Sequence, residues 1–240
     1  MKKQTKNHAP TVFIHGAGGG GWEWQYWAIC FSSAGWACHT PTLKGNGKTN
    51  LAEVTFLDYI KELTKLIDSL PKKPIIIGAS MGGILAQKLA EQGKAEAIIL
   101  VNSAPPKGVA SASWPTNNND PAAIIKWSTE STLKDTRDCM PEADEKTILW
   151  AHPQWRDESG KVIREIRAGI SIKKRNISCP VLVIAGKNDK DITCEVSRAV
   201  SEFYDADYFA FAGVSHVGAL LGKRYWEIAS QVSVWIKKLE

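Results

Sequence analysis

No apolar run in the 240-residue chain approaches the ~18 residues that a membrane-crossing helix needs, so the sequence predicts no span. The five cysteines (Cys30, Cys38, Cys139, Cys179 and Cys194) are odd in number and contain no C-x-x-C pair. That argues against a disulfide framework and against a zinc site. The opening residues, MKKQTKNHAP, hold no apolar stretch of the signal-peptide kind. Together these absences point to a reducing compartment, the cytoplasm. Charge of one sign is also scarce. The net charge is only +5, and the tightest basic runs, Lys2–Lys3 and Lys173–Lys174–Arg175, are short. A solvated surface is expected there, with no nucleic-acid partner and no membrane partner. Internal repeats and low-complexity tracts are missing too. The hydrophobic fraction of 44% and charged fraction of 23% are ordinary for a globular chain.

What the sequence does contain is alternation. Short apolar runs predict strands at Thr11–His15, Trp36–Thr40, Pro74–Ala79, Ala95–Asn102, Pro180–Gly186 and Asp207–Phe211. Periodic segments between them predict helices at Trp24–Ala34, Phe56–Leu70, Met81–Gln92, Cys194–Tyr204 and Arg224–Leu239. Continuous apolar strands separated by helices imply an α/β fold, a doubly wound, mostly parallel sheet covered on both faces. The alternation stops between Ser103 and Ser178, where Pro, Asn, Asp and Trp are frequent and no clear strand is read. Helical pieces are expected at Pro121–Thr129 and Glu142–Trp150. The stretch is too long for an ordinary loop. It reads as a partly helical cap, 103–178, inserted into a core made of 1–102 and 179–240.

The chemistry begins at Gly78-Ala79-Ser80-Met81-Gly82, a G-x-S-x-G between a strand and a helix. Glycines flank the serine because side chains there would collide with the neighbouring strand and helix. The turn lifts the Ser80 hydroxyl to the C-terminal edge of the sheet, where open α/β sheets carry their sites. The free N–H groups at the start of the following helix favour negative charge, so Met81 N–H is a candidate oxyanion donor. The loop His15-Gly16-Ala17-Gly18-Gly19-Gly20-Gly21-Trp22 follows the first strand and is the expected source of the second donor, Ala17 N–H first and Gly18 N–H next. Gly16 and Gly18 are expected to border the substrate. His15 is read as a loop-shaping residue, with a general base as its rival role. The same loop offers a loose G-x-G-x-x-G, but no acidic residue ends the second strand and no P-loop follows, which argues against a nucleotide site.

Asp189 follows the strand Val181–Ala185, and His216 follows the strand Asp207–Phe211. Both lie at the sheet edge that carries Ser80, in the order Ser, Asp, His. Neutral His216 is the expected general base. Asp189 is the expected orienting acid, with Asp191 as its rival.

These residues resemble the α/β-hydrolase superfamily: His15-Gly16, the Ser80 turn, the run from Cys179 to Asp189 and Ser215-His216. The resemblance covers the chain outside 103–178. A narrower similarity is to small esterases that include plant methylesterases and hydroxynitrile lyases, on the opening His15-Gly16-Ala17-Gly18-Gly19-Gly20-Gly21-Trp22-Glu23-Trp24. The lyases carry threonine after that histidine, and Gly16 here is esterase-like. The stretch from Thr42 to Thr49 is similar to the superfamily's R-G-x-G-x-S loop, with Lys44 and Asn46 as departures.

Four of the ten tryptophans, Trp114, Trp127, Trp150 and Trp155, fall within 103–178. Trp127 and Trp150 are the expected substrate-contacting residues of an aromatic pocket. The acidic residues Asp135, Asp138, Glu142, Asp144 and Glu145 are read as surface charge. The resulting expectation is a serine hydrolase acting on a small carboxylic ester through an acyl-serine, with no metal and no organic cofactor, as a monomer or homodimer. Thioester hydrolysis, C–C bond hydrolysis and ligand reception without turnover are the alternatives.

Overall fold

The computed structural model describes residues 8–110, 112–115 and 119–239. Six strands form one parallel sheet: β1 (Thr11–Ile14), β2 (Cys38–His39), β3 (Ile75–Ala79), β4 (Ala97–Val101), β7 (Val181–Gly186) and β8 (Asp207–Phe211), in the order β2-β1-β3-β4-β7-β8. Every pairing in it is parallel. The doubly wound sheet expected from the alternation is therefore present. The second strand is shorter than expected, two residues in place of five.

Side-chain alternation along the strands divides the core into two layers. Phe13, Ile75, Ile77, Ile99, Val101 and Ile184 point to one face, where they meet Trp27 and Phe31 of α1 (Gln25–Ser33) and Val232 and Ile236 of α10 (Tyr225–Lys237). Val12, Ile14, Ile76, Ile98, Leu100 and Val183 point to the other. There they pack on Leu63 of α2 (Phe56–Asp68), Leu85 and Leu89 of α3 (Met81–Glu91) and Val200 of α8 (Cys194–Tyr204). Burying each such side chain contributes about 1.5–3 kcal/mol.

Between β4 and β7 the chain leaves the sheet. It forms α4 (Trp127–Glu130), α5 (Leu133–Cys139), α6 (Glu145–Ala151) and α7 (Gly160–Ala168). It also forms an antiparallel ribbon of β5 (Ile124–Ile125) and β6 (Glu158–Ser159). This ribbon corrects the expectation of no strand between Ser103 and Ser178. Two-residue strands are too short to carry a period. The helical piece expected at Pro121–Thr129 is also corrected: β5 occupies its middle, and a single helical turn starts only at Trp127. The second piece starts at Glu145, later than expected, because the Asp144 side chain accepts the Thr147 N–H at 2.7 Å and caps the helix there. After β8, α9 (Gly218–Leu221) leads into α10. Among the described residues no helix is long and apolar enough to cross a membrane.

Candidate active site

Ser80 occupies the turn between β3 and α3 with φ 52° and ψ −117°, a region that side-chain-bearing residues rarely adopt. Its N–H donates to the carbonyls of Val101 and Asn102, both at 3.1 Å, which ties the strained turn to the end of β4. A Cβ at position 78 would lie 2.2 Å from the Gly82 carbonyl oxygen, and one at position 82 would lie 2.1 Å from that of Ile14. Glycine at both places is the steric condition for this turn.

His216 lies in the loop after β8, its side chain 15% exposed. Its Nδ1 bonds the Asp189 Oδ2 at 2.7 Å. A neutral ring that donates from Nδ1 keeps Nε2 as the acceptor. The other Asp189 oxygen accepts the N–H groups of Asp191 and Ile192 at 2.8 and 2.9 Å. Asp191, the rival acid, thus serves Asp189 through its backbone. Burial disfavours a charged imidazole, but the Asp189 charge and hydrogen bond, with Asp191 and Glu23 behind them, outweigh it and raise His216 to about 9. Asp189, Asp191 and His216 also bring three possible metal ligands within 4.8 Å of one another, with the imidazole Nδ1 and the Asp189 carboxylate already engaged in these hydrogen bonds.

Ser80 and His216 share the wall of a cavity of about 400 Å³ with Gly16, Ala17 and Met81. Trp114, Trp127 and Trp155 line it from the inserted segment. Two expected substrate contacts are not on that wall. Trp150 is instead 36% exposed and packs edge-on against Trp22, ring centroids 5.6 Å apart. Gly18 is covered by Trp127, whose ring would lie 2.1 Å from a Cβ at that position. Its N–H donates to Glu158 Oε2 at 3.2 Å. Gly16 N–H likewise donates to Glu23 Oε2 at 3.2 Å. The carboxylates thus take the two flanking N–H groups, and that of Ala17 lies between them. Met81 is the first residue of α3, where a backbone N–H has no intrahelical acceptor.

His15 is away from the cavity. It bonds Gly16 O through Nδ1 at 2.7 Å and accepts Leu43 N–H on Nε2 at 3.0 Å. Complete burial is the main cause that lowers it to about 4. A neutral ring with both nitrogens engaged shapes the loop.

Several residues around the site carry no motif. Glu23 is 3% exposed, borders the cavity and is raised to about 7, chiefly by burial. Its signal in the sequence is slight, an acid between Trp22 and Trp24. Glu158 accepts Tyr59 O–H at 2.6 Å as well as Gly18 N–H. Arg156 donates to the carbonyls of Gly19 and Leu43 at 3.3 and 3.0 Å. Glu142, read above as surface charge, faces inward and holds Ser215, while Asp135 and Asp144 cap α5 and α6.

A hydroxyl on a strained turn, an imidazole backed by a carboxylate and an apolar cavity between them form an arrangement suited to acyl transfer. Residues 11–224 match the Alpha/beta hydrolase family, and the chain belongs to it. No curated protein sequence matches the chain. Among solved structures it is similar to a methylesterase from Arabidopsis, at 15% identity over 95% of this chain and 99% of that one, with a TM-score of 0.73. Polyneuridine aldehyde esterase aligns at 19% identity over 95% of this chain and all (100%) of its own, with a TM-score of 0.74. Tomato methylketone synthase I complexed with 2-tridecanone aligns at 19% identity over 95% and 98%, also with a TM-score of 0.74. Identities this low establish a common fold.

Proposed function

We propose that this chain is a serine hydrolase that cleaves a carboxylic ester of a small molecule through an acyl-serine intermediate. The observation that carries the reading is the 2.7 Å His216–Asp189 pair on the cavity that Ser80 borders from its strained turn. Neutral His216 takes the hydroxyl proton as Ser80 Oγ bonds the ester carbon. The carbonyl electrons move onto oxygen, where Ala17 and Met81 N–H groups receive the charge. The imidazolium, steadied by Asp189, then gives its proton to the leaving alkoxide as the C–O bond breaks. Water attacks the acyl-serine with His216 again as base, releasing the acid and restoring Ser80. The lining of Trp127, Trp155 and aliphatic side chains favours an apolar body on the ester. The names of the methylesterase and the aldehyde esterase agree with ester chemistry. A cytoplasmic location fits the reading.

The test is burst and turnover with p-nitrophenyl acetate, butyrate and octanoate on wild type and Ser80→Ala. Wild type is expected to release nitrophenol and the variant to lose it. No turnover by wild type, together with no fluorophosphonate label on Ser80, would replace this reading with a binding protein.

A further inference from the structure

Asn102 ends β4 and is fully buried, with φ 45°. It is one of five described non-glycine residues with positive φ, and its carbonyl accepts the N–H of another, Ser80, at 3.1 Å. Its side-chain oxygen accepts Gly186 N–H at 2.8 Å, at the end of the strand that delivers Asp189. Its amide nitrogen donates to His216 O at 2.9 Å and to Ser215 O at 3.3 Å. A backbone in a sparsely populated region persists only where its surroundings over-determine it. Here one residue bonds all three chain segments that carry Ser80, Asp189 and His216.

Resting on the reading above, we infer that Asn102 is a positioning residue, which fixes the distance between the His216 loop and the Asp189 turn while anchoring the Ser80 turn. An amide is the side chain this junction needs. It must accept from one strand end and donate to a loop carbonyl at once. A carboxylate would lack the donor, and an aliphatic residue of similar size would leave a buried N–H and buried carbonyls unpaired.

The experiment compares wild type with Asn102→Gly and Asn102→Ser. Glycine takes the positive φ without strain, so the first variant removes the amide's hydrogen bonds while easing the backbone. The second keeps a short hydroxyl and guards against failure of the first to fold. The readouts are the His216 pKa from imidazole NMR, and kcat and KM for p-nitrophenyl butyrate per serine titrated with fluorophosphonate. The groups facing His216, namely Asp189, Asp191 and Glu23, are retained in both variants. The expected result is a His216 pKa displaced downward by about one unit as the Asp189 pair loosens, with kcat about tenfold to a hundredfold lower and KM within about twofold. A folded variant whose His216 pKa equals that of wild type overturns the inference, whatever its melting temperature. If wild type neither turns over nor labels, but His216 moves in the variants, the esterase reading fails and the positioning role stands.

Discussion

Glu142 receives both donors of Ser215, the backbone N–H at 2.7 Å on Oε1 and the hydroxyl at 2.7 Å on Oε2. Ser215 precedes His216, so a carboxylate of the inserted segment braces the histidine loop through the N–H and hydroxyl of Ser215, while Asn102 holds its carbonyls. Glu142→Ala leaves a buried N–H unpaired and is expected to cost about 1–3 kcal/mol. Thermal unfolding and kcat for a p-nitrophenyl ester check this. Glu142→Gln, whose amide presents one acceptor and one donor, is expected to fall between. A wild-type kcat in Glu142→Ala would dismiss the brace.

The pH profile follows from His216. On the proposed mechanism His216 is a general base, which works only when neutral, so activity is expected to fall as pH drops through its folded pKa. With that value raised to about 9, the acidic limb of kcat/KM is expected above the ordinary histidine value of 6.5. Asp189→Asn removes the raising charge and should move the limb to lower pH, with a large loss of rate. A limb that stays in place in Asp189→Asn would contradict the assigned pair.

Glu23 gives a stability signature. Its folded pKa of about 7 lies above the 4.5 of an ordinary glutamate, so the folded state favours the protonated form. The stability it contributes is complete below about pH 4.5 and is lost as pH rises through about 7, on the order of 3 kcal/mol over the interval. Denaturation of wild type and Glu23→Gln at pH 5 and pH 8 isolates the effect. The difference between the two proteins should grow with pH in favour of the glutamine variant. A constant difference would show that the carboxyl ionises normally.

The tryptophans separate by position. Trp127→Ala and Trp155→Ala remove parts of the cavity wall and should raise KM and shift the preferred acyl length. Trp150→Ala, outside the wall, should leave kcat/KM within about twofold, as surface changes usually do. A chain-length profile across the three esters decides it. An unchanged profile in Trp127→Ala would remove it from substrate contact.

The sheet and its turns are legible in the sequence because their causes are local. Ile75 to Ile77 read as a buried strand from one short apolar run, and Gly78 and Gly82 announce a crowded turn at Ser80. Asp189 and His216 are singled out as candidates by their place just after strands. The supports are not legible. Asn102 reaches His216 across 114 positions, and Glu158 reaches Gly18 across 140. Nothing in the residues around Glu142 separates an inward carboxylate from the surface acids beside it. Trp127 and Trp150 are alike in sequence, and only the packing of α4 and α6 sends one into the cavity and the other onto Trp22.

Besides its tryptophans on the cavity wall, the inserted segment holds the candidate site through three polar side chains, Glu142 at the histidine loop and Glu158 and Arg156 at the glycine loop. A foreign insertion lacking those three side chains would therefore arrive with new selectivity and a slackened catalyst at once. On the proposed reading, the part that would choose a substrate and the part that would transform it are a single inheritance, and an engineer who wants to change the first must carry those contacts across.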